Sequence, residues 1–199
     1  MKRFCILGHR AVTNGDFPLN DMPGSAGRID VLCRCVNSCF FLSHEFRRDV
    51  ECYLVLMGEP EAPKTVMFRG SELKYLNPDE RSAGSLLKKA LALPCTETFM
   101  KSTPGVYVRT GGLERLLEEI PFAVLDENGE DIRACTDLPD DLLLCDHMNF
   151  TPEEEALMAD APRISVGPTV LHADHTITVV LNEQDRREVS VTEIKKETV

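Results

Sequence analysis

The sequence predicts an α/β fold in which a mainly parallel sheet carries helices on both faces. Short apolar runs alternate along the chain with segments of helical spacing, the pattern of strand-helix-strand units. The run from Val50 to Met57 is almost continuously apolar, as a strand buried on both faces requires. The runs Leu142 to Cys145 and Arg163 to Ser165 stop abruptly at Asp146-His147 and Val166-Gly167-Pro168. Two such strand ends side by side form a cofactor pocket at the edge of an open α/β sheet. Gly167 and Pro168 set a tight turn with little side-chain bulk, so the backbone there can approach a flat ligand. A Ser-x-Gly-Pro run taken alone reads as an ordinary strand-turn-helix connection.

The elements follow in order. Lys2 to Leu7 is a first strand and not a signal peptide, because His9 and Arg10 follow at once without a small-residue cleavage site. Asn14 to Gly27, rich in Asp, Pro, Asn and Gly, is a loop of the length that is usually functional. Arg28 to Glu45 places Ile29, Leu32, Val36, Cys39 and Phe40 on one helical face. After the strand Val50 to Met57, a proline-built turn from Gly58 to Lys64 leads into a strand from Thr65 to Arg69. Asn77-Pro78-Asp79-Glu80 reads as a helix start with Asn77 as N-cap, running to about Leu93. Val106 to Arg109 is a strand, Gly112 to Glu119 an amphipathic helix, and Phe122 to Leu125 a strand ended by the turn Asp126-Glu127-Asn128-Gly129. Thr151-Pro152-Glu153-Glu154 is a capping box opening a helix to about Ala159. The tail from Glu188 to Val199 is expected to be loosely held. No repeat or linker divides the chain, and one domain over 1–199 is expected.

With 43% hydrophobic residues and no apolar run near the ~20 residues of a membrane span, the chain is expected to be soluble. Its eight cysteines sit inside apolar patterns without a disulfide framework, which points to a reducing cytoplasm. Cys33, Cys35 and Cys39 lack the spacing of a zinc knuckle and read better as buried thiols than as a metal site. A formal net charge of −11 argues against indiscriminate nucleic-acid affinity but leaves room for a local basic patch. Arg10, Arg28, Arg34, Arg47 and Arg48 gather in the first half of the chain. They either form such a patch or pair with neighbours such as Asp30, Asp49 and Glu51.

Further segments occur in a fixed order: Gly8-His9-Arg10-Ala11, Gly24-Ser25-Ala26-Gly27-Arg28-Ile29-Asp30, Arg47-Arg48-Asp49-Val50, Asn77-Pro78-Asp79-Glu80-Arg81-Ser82, Gly129-Glu130-Asp131-Ile132, Leu171-His172-Ala173-Asp174-His175 and Leu181-Asn182-Glu183. Together with the two strand ends they span nearly the whole chain, and in that order the sequence resembles the archaeal tRNA pseudouridine-54 N1-methyltransferase family of the SPOUT class. The resemblance implies a SPOUT fold with a C-terminal trefoil knot, a homodimer, S-adenosylmethionine as cofactor, and methyl transfer to N1 of a pseudouridine in the T-loop of tRNA. It makes His172 to Arg187 a helix, although Thr176 to Leu181 has strong β propensity. Carried over by position, Leu125, Cys145, Val166, Gly167, Pro168, Thr169, Val170, Leu171 and Thr176 line the cofactor pocket. Cys145 stands where glycine is common in the family, and Thr176 where cysteine is common. Arg10, Arg28, Arg47 and Arg48 are the candidates for RNA contact, and Asp146 and Asp30 for the proton acceptor, unranked. For Asp146 and His147 a functional role and a structural one, as a loop cap and a surface side chain, weigh evenly, whereas Asp174 and His175 read mainly as helix caps. A related enzyme acting on another RNA pseudouridine, or a non-catalytic RNA-binding protein with the same fold, is the alternative.

Overall fold

A computed structural model describes the backbone of residues 1–197 and the side chains of residues 1–189. One eight-stranded sheet runs through it in the order β4-β5-β3-β2-β1-β7-β6-β8. The strands are β1 (Lys2–Gly8), β2 (Val50–Leu56), β3 (Lys64–Arg69), β4 (Met100–Thr103), β5 (Val106–Thr110), β6 (Ala123–Asp131), β7 (Asp141–Cys145) and β8 (Arg163–Ser165). The helices are α1 (Met22–Ser25), α2 (Ile29–Phe40), α3 (Glu80–Leu91), α4 (Leu113–Glu119), α5 (Pro152–Leu157) and α6 (Ala173–Glu197).

Successive residues of β1 point to opposite faces, and each face has its own core. Phe4 and Ile6 pack with α2, α3 and α6 through Leu32, Val36, Leu87, Ile177 and Val180. Cys5 and Leu7 pack with α4 and the end of α5 through Leu113, Leu116 and Met158. Helices on both faces are therefore as expected. The sheet, however, is mixed, its parallel part extended by an antiparallel one. β2, β1, β7, β6 and β8 are parallel neighbours, whereas β3, β5 and β4 extend the sheet antiparallel. The reason is connection length: β2 ends at Leu56 and β3 begins at Lys64, too short a link for the crossover of a dozen or more residues that a parallel pair needs.

Several local expectations shift. The N-cap of α3 is Asp79, not Asn77, because the Asp79 carboxylate accepts from the Ser82 amide at 2.7 Å. α2 stops at Phe40, five residues before Glu45, where Phe41 turns extended and Phe40 stacks on Phe46 at 5.3 Å. The loop 14–27 contains the short helix α1, capped by Asp21. The turn expected at Asp126 to Gly129 is an irregularity inside β6, since Leu125 and Glu130 both register with Ile164 of β8. The capping box on α5 is present with both of its hydrogen bonds. The β-prone segment Thr176 to Leu181 is helical, because Ile177, Val180 and Leu181 recur at helical spacing and are buried against α2. The tail expected to be loose from Glu188 continues α6 to Glu197, and 198 and 199 lie outside the described residues.

The loop before α2 is fixed by close backbone contact. Gly27 has a φ of +63°, and a β-carbon there would lie 1.7 Å from the Arg10 carbonyl oxygen. Arg28 follows, also left-handed at φ 67°, a conformation uncommon for a residue with a side chain. We predict that Gly27→Ala destabilises the fold by about 3 kcal/mol, the scale of a forced backbone shift, read as a lower urea midpoint. An unchanged midpoint would show that the loop relaxes freely.

Candidate functional site

Parallel strands place their C-terminal ends on one edge of the sheet. Here the ends of β7 and β8 and the irregular middle of β6, where its first parallel stretch stops at Leu125, open into a cleft of about 630 Å³. Leu125, Cys145, Val166, Gly167, Thr169, Val170, Leu171 and Thr176 all line it, and so does Asp146. Pro168 is exposed and outside the lining; it shapes the turn and does not form the wall.

Two observations suit this cleft to a flat, partly apolar ligand. A β-carbon built on Gly167 meets nothing within 4 Å, so the backbone there faces open space. Val170 and Leu171 are 71% and 38% exposed, apolar surface of the kind that marks a ligand groove. Cys145 is an inert wall: burial, helped by the nearby Asp146 charge, pushes its thiol up to about 11.

Asp146 follows β7 and its side chain is only 1% exposed. Its Oδ1 accepts from the Met148 amide at 3.0 Å and lies 3.1 Å from His9 Nδ1. Its Oδ2 has no hydrogen-bond partner and sits 3.2 Å from His147 Nδ1. Burial alone would raise the Asp146 carboxyl, but contacts with His9, the Met148 amide and His147 outweigh it and hold it below its ordinary value. The other ring nitrogen of His9 lies 3.0 Å from Glu154 Oε2. The Asp146 contact, opposed by burial and reinforced by Glu154, raises the His9 imidazole above its usual range. Neither His9 nor Glu154 stands out by composition. Both lie in segments the sequence does single out, Gly8-His9-Arg10-Ala11 and Thr151 to Glu154, and the signal for a role in the site was that His9 directly follows a central strand, where a neighbouring strand end must lie beside it.

A family model described as "Putative SAM-dependent RNA methyltransferase" matches residues 1–189. The chain belongs to this family. Proteins called tRNA (pseudouridine(54)-N(1))-methyltransferase are similar along their whole length. That of Methanocorpusculum labreanum is 58% identical over 94% of this chain and 98% of its own. Those of Methanosarcina acetivorans and Halobacterium salinarum are 53% and 46% identical, over 98% and 93% of this chain and 95% and 96% of their own. Among solved structures, Archaeoglobus fulgidus Nep1 bound to S-adenosylhomocysteine superposes with a TM-score of 0.62 at 14% identity, covering 95% of this chain and all of the other. That likeness shows the shared α/β fold.

For an RNA methyltransferase the arginines separate into two groups. Arg10 is exposed, and its side chain makes no hydrogen bond or ion pair among the described residues. Arg28, 39% exposed, binds Asp30 through Nε and Nη2 at 3.0 and 3.1 Å, and its charge also acts on Asp146. Both flank the edge that carries the cleft. Arg47 and Arg48 precede β2, at the opposite edge, roughly 20 Å away at ~3.3 Å per residue of strand. Arg47 is clamped on Asp185 at 2.8 and 2.5 Å. Arg48 donates to the carbonyls of Gly70 and Leu73 and lies over the Phe46 ring. Their guanidinium groups are engaged within the fold at the edge away from the cleft, so the four candidate arginines do not form one patch. Asp30 is likewise outside the cleft lining. Burial opposes its ionisation, but Arg28 and Arg34 on its two oxygens prevail and keep its carboxyl below the ordinary range.

Gly167 gives a direct test of the cleft. Its φ of +149° disfavours a side chain, and the space beyond belongs to no protein atom. We predict that Gly167→Val stays folded, with strain of about 1–3 kcal/mol, and binds S-adenosylmethionine at least about tenfold more weakly, ~1.4 kcal/mol by calorimetry. Unchanged affinity would remove this loop from the binding surface.

Proposed function

We propose that this protein transfers a methyl group from S-adenosylmethionine to N1 of the pseudouridine at position 54 in the T-loop of tRNA. The observation that carries the reading is the cleft at the parallel strand ends, where a free backbone cradle at Gly167 and the buried Asp146 carboxylate meet. The long relatives named for this reaction support it.

The cofactor would lie against Leu125, Cys145, the Val166 to Leu171 loop and Thr176, and when bound it supplies a methyl group activated on a sulfonium. The protein's part is to hold N1 of pseudouridine in line with that methyl and to receive its proton. Asp146 fits the second task better than Asp30. Both oxygens of Asp30 are taken by arginines, whereas Oδ2 of Asp146 has no hydrogen bond. A carboxylate of low basicity suffices, because the N1 proton becomes steadily more acidic as the N1–carbon bond forms and the sulfur–carbon bond breaks. Arg10 and Arg28 offer phosphate contacts beside the cleft.

On the same reading the whole chain acts as one methyltransferase domain in the cytoplasm. Its eight cysteines are free thiols, which suits a reducing compartment, and no described helix is long and apolar enough to cross a membrane. The segment from β6 to α6 is threaded as a trefoil knot. Two copies pair as a homodimer, for which exposed Leu157, Val170 and Leu171 supply apolar surface.

The decisive test compares T-loop RNAs carrying pseudouridine or uridine at the target. Methylation of the pseudouridine form alone is expected, because N1 of uridine is bonded to the sugar and has no proton to lose. A comparable rate on uridine would assign the methyl to another atom. Compared at saturating cofactor and RNA, Asp146→Asn should lower kcat at least about 100-fold, the usual scale for a lost acid-base group; full turnover would exclude Asp146. For RNA affinity, Arg10→Ala should reduce the slope of log affinity against log salt by about one unit, and an unchanged slope would place the phosphates elsewhere.

A further inference from the structure

His9 is buried, touches two carboxylates, and takes no part in the transfer described above. Its side chain is 8% exposed, with Nδ1 3.1 Å from Asp146 Oδ1 and Nε2 3.0 Å from Glu154 Oε2. These partners belong to different elements. His9 follows β1, Asp146 follows β7, and Glu154 lies in α5, where its carboxylate also accepts from the Thr151 amide at 2.8 Å. The link between β7 and α5, residues 146–151, includes Met148, Asn149 and Phe150 of the cleft wall. One ring thus ties both ends of that wall to the first strand.

We propose that His9 is a positioning residue: as an imidazolium donating one hydrogen bond to Asp146 and one to Glu154, it holds the 146–151 wall in the shape that receives the cofactor. The inference rests on the cofactor reading of the cleft. The physical basis is the donor count. An imidazolium has two N–H groups, one for each carboxylate, whereas a neutral ring has one and turns a lone pair toward the other carboxylate. Loss of the ring proton therefore converts one attractive contact into a repulsive one. The charged groups around the ring are Asp146 and Glu154 in contact. His147 and Arg28 act on it through Asp146.

The sign of the pH effect follows. The His9 imidazole is raised above its ordinary 6.5, so its stabilisation of the wall is complete below that value and is lost as pH rises through the folded-state value. The measurement is affinity for S-adenosylhomocysteine by calorimetry from pH 6 to 9, with the His9 ring and the Met148 amide followed by NMR without ligand. Affinity should fall about tenfold across the His9 titration, and the Met148 amide should titrate with the ring. Glu154→Gln keeps an acceptor for Thr151 but removes one charge. It should move both midpoints down by about one unit or more, the effect of losing an adjacent opposite charge. His9→Gln should abolish the step.

A midpoint unmoved in Glu154→Gln, or a Met148 amide indifferent to the His9 titration, would overturn the proposal even if His9→Gln fails to fold. If the wild-type chain bound no S-adenosylhomocysteine at any pH, the cofactor reading would fall and the proposal with it. Normal binding at all pH values through a complete His9 titration would instead sink the histidine alone.

Discussion

The functional edge depends on β1 being paired in parallel on both sides, with β2 and with β7. A strand so placed cannot be joined to its neighbours by tight hairpins. The chain must cross over through α2 on one side and through a long excursion on the other, and the strand ends then collect at one edge. Register does the rest. Leu7 lies opposite Cys145, so the residues just beyond, His9 and Asp146, meet although 137 positions separate them. The opposite edge is closed differently: Lys2 and Arg47 both pair with Asp185 of α6, which pins the last helix to the start of the sheet.

A protein with a net charge of −11 that acts on RNA must keep its acids from repelling phosphates near the cleft. The carboxylates there are largely tied to cations. Asp126 and Glu155 share Arg163, Asp30 holds Arg28 and Arg34, and Asp146 and Glu154 share His9. Acids more than about 8 Å away are largely screened at physiological ionic strength. The local balance beside Arg10 therefore matters more to an approaching phosphate than the total charge.

Much of this was legible in the sequence because it is local. The capping box at Thr151 is specified by a few consecutive residues. The cleft-lining loop at Val166 to Leu171 announced itself by small residues at a strand end, and Gly167 carries the positive φ that such a turn uses. What was misread was also local but ambiguous: Asn77 and Asp79 are both good caps, and only the hydrogen bond to Ser82 separates them. β4, with the polar sequence Met-Lys-Ser-Thr, is half exposed at the sheet edge and has no apolar period to reveal it.

The sequence by itself determined the alternation of strands and helices, the strand ends that form the cleft, and, through motifs in order, the family. Periodicity, caps and turn chemistry are set by neighbours along the chain and so survive without the fold. Tertiary structure decided the rest. It made β3, β4 and β5 antiparallel, kept Thr176 to Leu181 helical by burying one face on α2, and tied Arg28 and Arg47 to carboxylates and Arg48 to backbone carbonyls while leaving Arg10 exposed. It also brought His9 between Asp146 and Glu154. These outcomes depend on which distant segments become neighbours, and strand register, which no short stretch of sequence encodes, sets those pairings.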